Sequence, residues 1–245
     1  MLNKWLHKET SLVREKLRPS ELPDLDDWPA TPMVSVLVAA WNEEDQIPEF
    51  LDSFDRIDYP NKELLLIAGG TDSTFERART ADNPPTRLIR QRAGEGKYLS
   101  IRRAIGHTSG EVVFLTDADC RIDPDHFKRL VFPVAGGTVN AATGPAWPLR
   151  RQLKSPFVRA QSVNLFRKMH MVPGISVPFL IGANCAIRGD LLTDCLERKS
   201  DHPIGEDYYV AMCLGTLGHR LHDYHAAGIE TRGPESGSEC VLQRC

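Results

Sequence analysis

From Val34 onward the chain falls into a strict alternation that leaves few folds open. Short apolar runs (VSVLVAA, KELLLIAGG, TRLIRQR and EVVFLTDADC) are separated by WNEEDQIPEFLDSFDRI, TDSTFERART and KYLSIRRAIGHT, which carry helical spacing. Strands alternating with helices of these lengths predict βαβ units and a mainly parallel, helix-flanked sheet, an α/β fold. Asn42 is expected to cap the first helix, with acids in its first turn, and Thr71 or Asp72 the second. In such sheets ligands sit beyond the carboxyl ends of the strands. Three of those ends carry chemistry: Trp41-Asn42-Glu43, Gly69-Gly70-Thr71-Asp72 and Asp117-Ala118-Asp119.

After Asp125 the pattern loosens. TVNAATGPAWPL reads as strand and loop, SPFVRAQSVNLFRKMHMV as an amphipathic helix, and PFLIGANCAIR as an apolar run turning at Gly182. A helix follows over GEDYYVAMCLGTLGHRL, and HDYHAAGIETRG holds a last strand. There is no internal repeat.

Asp117 and Asp119 stand one residue apart at the end of the apolar strand VVFL. From a turn, such a pair can bind a hard cation, one carboxylate directly and the other through water or a ribose. Magnesium or manganese held there would neutralise charge on a leaving diphosphate. A simple capped turn is the competing reading. Asp123 and Asp125 flank Pro124 and are expected to cap the next helix. Glu206 and Asp207 open a late helix, where acids offset the macrodipole. The same position also suits a general base across the crevice, and the residues alone leave both readings open.

Charge is unevenly spread. The net value is −3, yet His126 to Gly189 contains no Asp or Glu and nine Lys or Arg: 128, 129, 150, 151, 154, 159, 167, 168 and 188. This block fits an anionic partner or a solvated basic face. Residues 1–20 space Leu2, Trp5, Leu6, Leu12, Val13 and Leu17 helically among basic residues, predicting a helix docked on the domain or lying on an anionic membrane surface. A Pro- and Asp-rich linker follows. The N-terminus has no apolar h-region, and no apolar run reaches 18 residues. Six scattered cysteines without CxxC pairing predict reduced thiols in a cytosolic setting. His219, His222 and His225 do not make a three-histidine site if the segment is a strand, since His222 then points away. A single histidine, His225, lending a ligand to the aspartate pair is the remaining form of that idea. Cys120 reads as a packing residue.

The elements become recognisable together. SVLVAAWNEEDQI resembles the opening of the family 2 glycosyltransferases, and IAGGTDST, GEGKYLS, VVFLTDADC, IGANCAIRGD and GEDYYVAMCLGTLGHRL follow in that family's order, from about Met33 to Thr231. The resemblance implies a GT-A fold: residues 33–125 as the nucleotide-sugar-binding half and 126–245 as the acceptor and catalytic-base half of one continuous domain, preceded by the helix and linker at 1–32. It implies inverting transfer of a sugar from a nucleotide-diphosphate sugar to a hydroxyl of a glycan or lipid-phosphate acceptor, with Mg2+ or Mn2+. By the same resemblance Asp207 is the catalytic base and Glu206 its companion. Asp119 and Asp117 hold the metal, and Ala40, Trp41, Glu43, Asp72, Lys97 and Asp117 bind the nucleotide sugar. Gly182, Ala183 and Asn184 shape the acceptor side.

Two departures stand out. The family's aspartate-rich turn after the second strand is Ala68-Gly69-Gly70-Thr71-Asp72 here, so the base contact is missing or moved. The downstream QxxRW of processive members meets only Val241-Leu242-Gln243-Arg244-Cys245. The expectation is the catalytic portion of a longer enzyme, cytoplasmic and peripheral at or anchored to the cytoplasmic membrane, with no nucleic-acid partner. A degenerate GT-A binding module is the alternative, and a haloacid-dehalogenase-like phosphotransferase a more distant one.

Overall fold

The computed structural model describes residues 31–161, 179–198, 205–224 and 227–237. The helix expected over 1–20, most of SPFVRAQSVNLFRKMHMV, His225 and the Val241–Cys245 end lie outside the described residues. Residues 31–245 form one compact unit.

The alternating apolar runs become β1 (Val34–Trp41), β2 (Lys62–Gly69), β3 (Arg87–Arg90) and β4 (Val112–Asp117). Between them lie α1 (Ile47–Asp55), α2 (Thr74–Arg79) and α3 (Gly96–Ala104). Beyond β4 come β5 (Cys120–Arg121), α4 (Pro124–Ala135), β6 (Ala141–Thr143), β7 (Ala146–Pro148), β8 (Asn184–Arg188), α5 (Gly189–Arg198), α6 (Glu206–Thr216), β9 (Leu221–Asp223) and β10 (Ile229–Thr231). The main sheet runs β3-β2-β1-β4-β8-β6-β9, and a small second sheet runs β5-β10-β7. In the main sheet β8 alone is reversed among the described strands, antiparallel to β4 and β6. This is the mainly parallel, helix-flanked sheet the alternation predicts.

Burial on both faces explains the near-continuous apolar strands. Leu37, Leu65, Ile67, Val113, Leu115 and Ile187 meet Ile101, Leu192, Val210 and Leu214 of α3, α5 and α6. On the other face Phe114 packs on Phe127 of α4 at 4.9 Å between centroids. Each such large side chain taken fully out of water contributes about 1.5–3 kcal/mol. Asp123 caps α4 as expected, accepting from the amides of Asp125 and His126, with Pro124 in the first turn.

Register then builds the crevice. β1 and β2 end level, Trp41 opposite Gly69, whereas Asp117 pairs with Ala39. The turn carrying Asp119 thus opens lower than the tips of β1 and β2. Because β8 is reversed, its first residue Asn184 pairs with Thr116. The turn at Gly182, which enters β8, therefore arrives where β4 leaves the sheet.

Some expectations needed correction. Asn42 does not cap the first helix: α1 begins at Ile47, and Asn42 has a left-handed φ of 58°. Its side chain instead accepts from the Thr71 amide at 2.7 Å, and its own N–H donates to the Gly69 carbonyl at 3.1 Å. The residue ties two strand ends together, a nonlocal use that outweighs local capping. The second helix begins at Thr74, with Asp72 accepting from its amide and hydroxyl. Helix α5 and the small sheet were not anticipated. His222 packs its ring 4.1 Å from that of Tyr224.

The joint between the two loops gives a first prediction. Gly70 has φ of 139°, and a Cβ there would sit 2.2 Å from Asn42 Oδ1. Backbone strain of this kind costs about 1–3 kcal/mol before the displaced Asn42 is counted. Gly70→Ala is expected to lower the melting temperature by roughly 4–8 °C. An unchanged melt would show that the loop relaxes without cost.

Candidate active site

Four segments meet at the carboxyl edge of the sheet. Leaving β1, the chain presents Trp41 and Glu43. The Glu43 amide donates to Thr74 Oγ1 at 2.7 Å, and the Glu44 amide to Asp72 Oδ2 at 3.2 Å. Asp72 thus links the two loops through Oδ2 and fixes the start of α2 through Oδ1, with a lone pair still open on Oδ2. Ala40 is fully buried, backbone included, and presents no surface to a ligand.

Lys97 lies in the first turn of α3. Its Nζ is 2.6 Å from Asp117 Oδ1 and 3.1 Å from Glu206 Oε1. Burial opposes the ammonium charge, but the two carboxylates outweigh it and hold the Lys97 pKa well above its ordinary value. The lysine expected near a diphosphate is therefore also the link between the strand-end acids and the helix-start acids. The Cys185 thiol in β8 senses the same cluster: burial, Asp207, Glu206 and Asp117 push its pKa up and Lys97 pulls it down.

Asp119 sits in the turn between β4 and β5. Burial, and then repulsion from Asp117, push its carboxyl up to about 6, while hydrogen bonds from Thr231 and Cys120 pull it down. Glu43 is pushed up to about 7 by burial and by Asp119, with Arg232 opposing. Thr231 reaches Asp119 because β10 pairs antiparallel with β5, Thr231 opposite Cys120. Sequence reasoning missed Thr231 and Arg232, since no local signal links a three-residue strand to a motif more than a hundred residues earlier.

A crowded set of carboxylates is what a divalent cation relieves. Asp117, Asp119 and Cys120 place one donor atom each within 4.8 Å of one another, the one such cluster among the described residues. Burial keeps the Cys120 thiol protonated, so the oxygens of the two aspartates are the ligands on offer. They suit a hard cation that completes its shell with water and phosphate.

Across the crevice, Asp207 Oδ2 accepts from the Gly182 amide at 3.2 Å, and Oδ1 from the Tyr208 amide at 2.7 Å. Gly182 permits that approach, because a Cβ there would lie 3.1 Å from Asp207 Cβ. Both bonds leave lone pairs on the carboxylate. Asn184 is buried and gives its amide to the carbonyls of Ala227 and Pro145 at 2.8 and 3.3 Å. It shapes this turn rather than lining it, and Ala183 stands between the two. The structure therefore gathers Asp117, Lys97 and Glu206 by direct contact, with Asp119 beside Asp117 and Asp207 on the Gly182 turn, and leaves Ala40, Asp72 and Asn184 as framework.

Comparison with known proteins agrees with this architecture. The chain is 28% identical over 137 residues to a beta-monoglucosyldiacylglycerol synthase of Synechocystis sp., covering 51% of this chain and 29% of that protein. It is 27% identical over 111 residues to an undecaprenyl-phosphate 4-deoxy-4-formamido-L-arabinose transferase of Klebsiella pneumoniae, covering 42% and 34%. The chain spans about a third of the length of these curated relatives. Among solved structures, a Pyrobaculum calidifontis mannosyltransferase in complex with GDP-Man and Mn2+ superposes with a TM-score of 0.66 at 23% identity, covering 89% of this chain and 62% of that one. The glucosyl-3-phosphoglycerate synthase of Mycobacterium tuberculosis, with Mn2+, UDP-glucose and phosphoglyceric acid, gives 0.59 at 21%, covering 89% and 78%. These likenesses identify the sheet as a GT-A fold. The model of the glycosyltransferase-like family 2 matches residues 31–245. The chain belongs to that family.

Proposed function

We propose that this chain transfers a sugar, with inversion, from a nucleotide-diphosphate sugar to a hydroxyl acceptor. The observation that carries it is the placement of Asp117 and Asp119 on one wall of the crevice and Asp207 on the other, with Lys97 between the two acid motifs. Mg2+ or Mn2+, when bound by Asp117 and Asp119, supplies charge neutralisation for the departing diphosphate. Lys97 adds an ammonium directed at the same developing charge. Asp207, fixed by two backbone amides, takes the proton from the acceptor hydroxyl on the opposite face of the sugar. Trp41, exposed at the tip of β1, offers an aromatic face to the nucleotide. The test is incubation with Mn2+ and a panel of UDP-, GDP- and dTDP-sugars. Metal-dependent stabilisation by some member of the panel, with release of its diphosphate once an acceptor extract is added, is expected. Binding without any turnover would make the chain a binding module.

The acceptor side favours an anionic or membrane-borne substrate, in keeping with relatives named for a diacylglycerol and an undecaprenyl-phosphate. Gln152 is buried and gives its amide to Gly233 O and Glu235 Oε1, and Val158 is buried as well. Around these anchors Leu153 and Phe157 are exposed apolar residues, with Arg150, Arg151, Lys154 and Arg159 exposed among them. Two exposed apolar side chains interleaved in sequence with basic ones, of which Arg150 also pairs with Glu230, fit an anionic lipid surface, each cation near it contributing about 1 kcal/mol. No described helix is long and apolar enough to cross a membrane. Salt-sensitive co-sedimentation with anionic vesicles is expected. Equal recovery on neutral vesicles would remove the lipid surface from the proposal.

A further inference from the structure

We infer that the protein holds a neutral glycan on the reverse face of its small sheet, in a second site that stands apart from the crevice and performs no transfer. The register of β5, β10 and β7 separates the two places. Thr231 pairs with Cys120, while Glu230 pairs with Arg121 on one side and with Trp147 on the other. Residues paired across strands share a face, and neighbours along a strand alternate between faces. Thr231 and Cys120 turn toward Asp119, to which both donate hydrogen bonds. Arg121, Glu230 and Trp147 therefore form a row on the opposite face.

That row lines a cavity of about 650 Å3, bounded further by the end of α1, the start of α4 and the helical turn after β7. The volume lies in the range of small-molecule sites. The Trp147 indole packs over Gly228, where a Cβ would stand 2.7 Å from Nε1, and Leu153 adds a second apolar side chain to the lining. Most of the charged lining is already paired. Arg121 Nε donates to Glu49 Oε2 at 3.0 Å, and Arg121 Nη2 to Gln46 Oε1 at 3.2 Å. Arg150 Nε lies 3.5 Å from Glu230 Oε1, and Asp123 is held by the first amides of α4. Arg56 has no acidic partner among the described residues. An anion seeking more than that one arginine would have to displace Glu49 or Glu230, leaving a carboxylate unpaired. A sugar hydroxyl both donates and accepts, so it can bridge a guanidinium and its carboxylate without parting them. The C–H face of a pyranose ring then meets the indole and Leu153. Arg150 and Leu153 also belong to the basic face described above, so an anionic headgroup is the competing occupant.

NMR of the tryptophan indole N–H signals tests this, since each indole reports on its own surroundings. The full chain is titrated with cellotetraose, chitotetraose and maltotetraose, and with glycerol phosphate as the anionic probe. The Trp147 signal is expected to move with at least one tetrasaccharide, with a Kd on the order of 1 mM, while the Trp41 signal at the crevice stays still. By titration calorimetry, Trp147→Ala is expected to weaken that binding at least about tenfold and Glu230→Gln about threefold. The glutamine variant decides the matter if the alanine variant does not fold. Both variants keep whatever Mn2+-dependent nucleotide binding the wild type shows, because neither side chain lies on the Asp119 face. A Trp147 signal that answers glycerol phosphate in preference to every tetrasaccharide makes the cavity an anion site and overturns the inference. So does a response at Trp41 alone, no response at either indole, or binding undiminished in both variants. The glycan needs neither Mn2+ nor a nucleotide to bind here, so this site stands or falls separately from the transfer reading.

Discussion

Asp207→Asn is expected to lower sugar-transfer turnover by about a hundred- to ten-thousand-fold while leaving metal-dependent nucleotide binding within a factor of two or so. The substitution keeps the shape of the side chain and one oxygen for the Gly182 or Tyr208 amide. What it removes is the ability to accept a proton from the attacking hydroxyl. The donor wall, built from β1, β2, α3 and the β4 turn, does not contain Asp207, so donor affinity is the internal control. Parallel measurement of turnover and donor affinity separates the two functions. A variant retaining more than a tenth of wild-type turnover would assign Asp207 to helix capping, the other role open to an acid in the first turn of α6.

The second large effect is on the opposite wall. Asp119→Asn is expected to abolish Mn2+-dependent binding of the donor and, with it, turnover. Its signature separates it from simple damage. In the metal-free protein Asp119 carries a charge that burial and Asp117 both disfavour, which is why its carboxyl is pushed up to about 6. The folded state therefore holds that proton more tightly than the unfolded chain does, and at pH 8 the ionised group subtracts from stability. A neutral asparagine removes this penalty. The metal-free variant should melt no lower than the wild type, and preferably higher, while the upward shift given by Mn2+ and nucleotide diphosphate disappears. A variant that melts lower but keeps the ligand-induced shift would show Asp119 to be structural.

Much of the donor wall was legible because its strands are long, apolar and separated by patterned helices. VSVLVAA and VVFLTDADC announce both their burial and the residues at their ends. The acceptor wall was far less legible for a physical reason: β6, β7, β9 and β10 have three residues each and β5 two, too short for any period to register. Their positions are set by partners distant in sequence, as when β10 brings Thr231 to Asp119. Helix α5, GDLLTDCLER, escaped because only three of its side chains, Leu192, Cys195 and Leu196, are buried. The misreading of Asn42 has the same root. Capping is a local rule, and here a bond to the Thr71 amide in the next loop took precedence. Among the candidate site residues, Asp117, Asp119, Lys97, Glu206 and Asp207 were singled out by motif order. Their connection through Lys97 belongs to the fold and to no pattern in the chain.

The single reversed strand has a consequence for how such a chain can change. Every parallel strand hands the crevice the loop it exits into, and in β1 to β4 those loops are short and cross-tied. β8 hands over the loop it enters from, and 35 residues separate Pro148 at the end of β7 from Asn184 at its start. The ladder of β8 with β4 fixes where that long stretch must finish, whatever its length or composition. Under the proposed transfer this separates substrate range from chemistry: residues 162–178 can vary in sequence or number while the buried anchors Gln152, Val158 and Leu180 and the Gly182–Asp207 contact hold the two ends of the stretch.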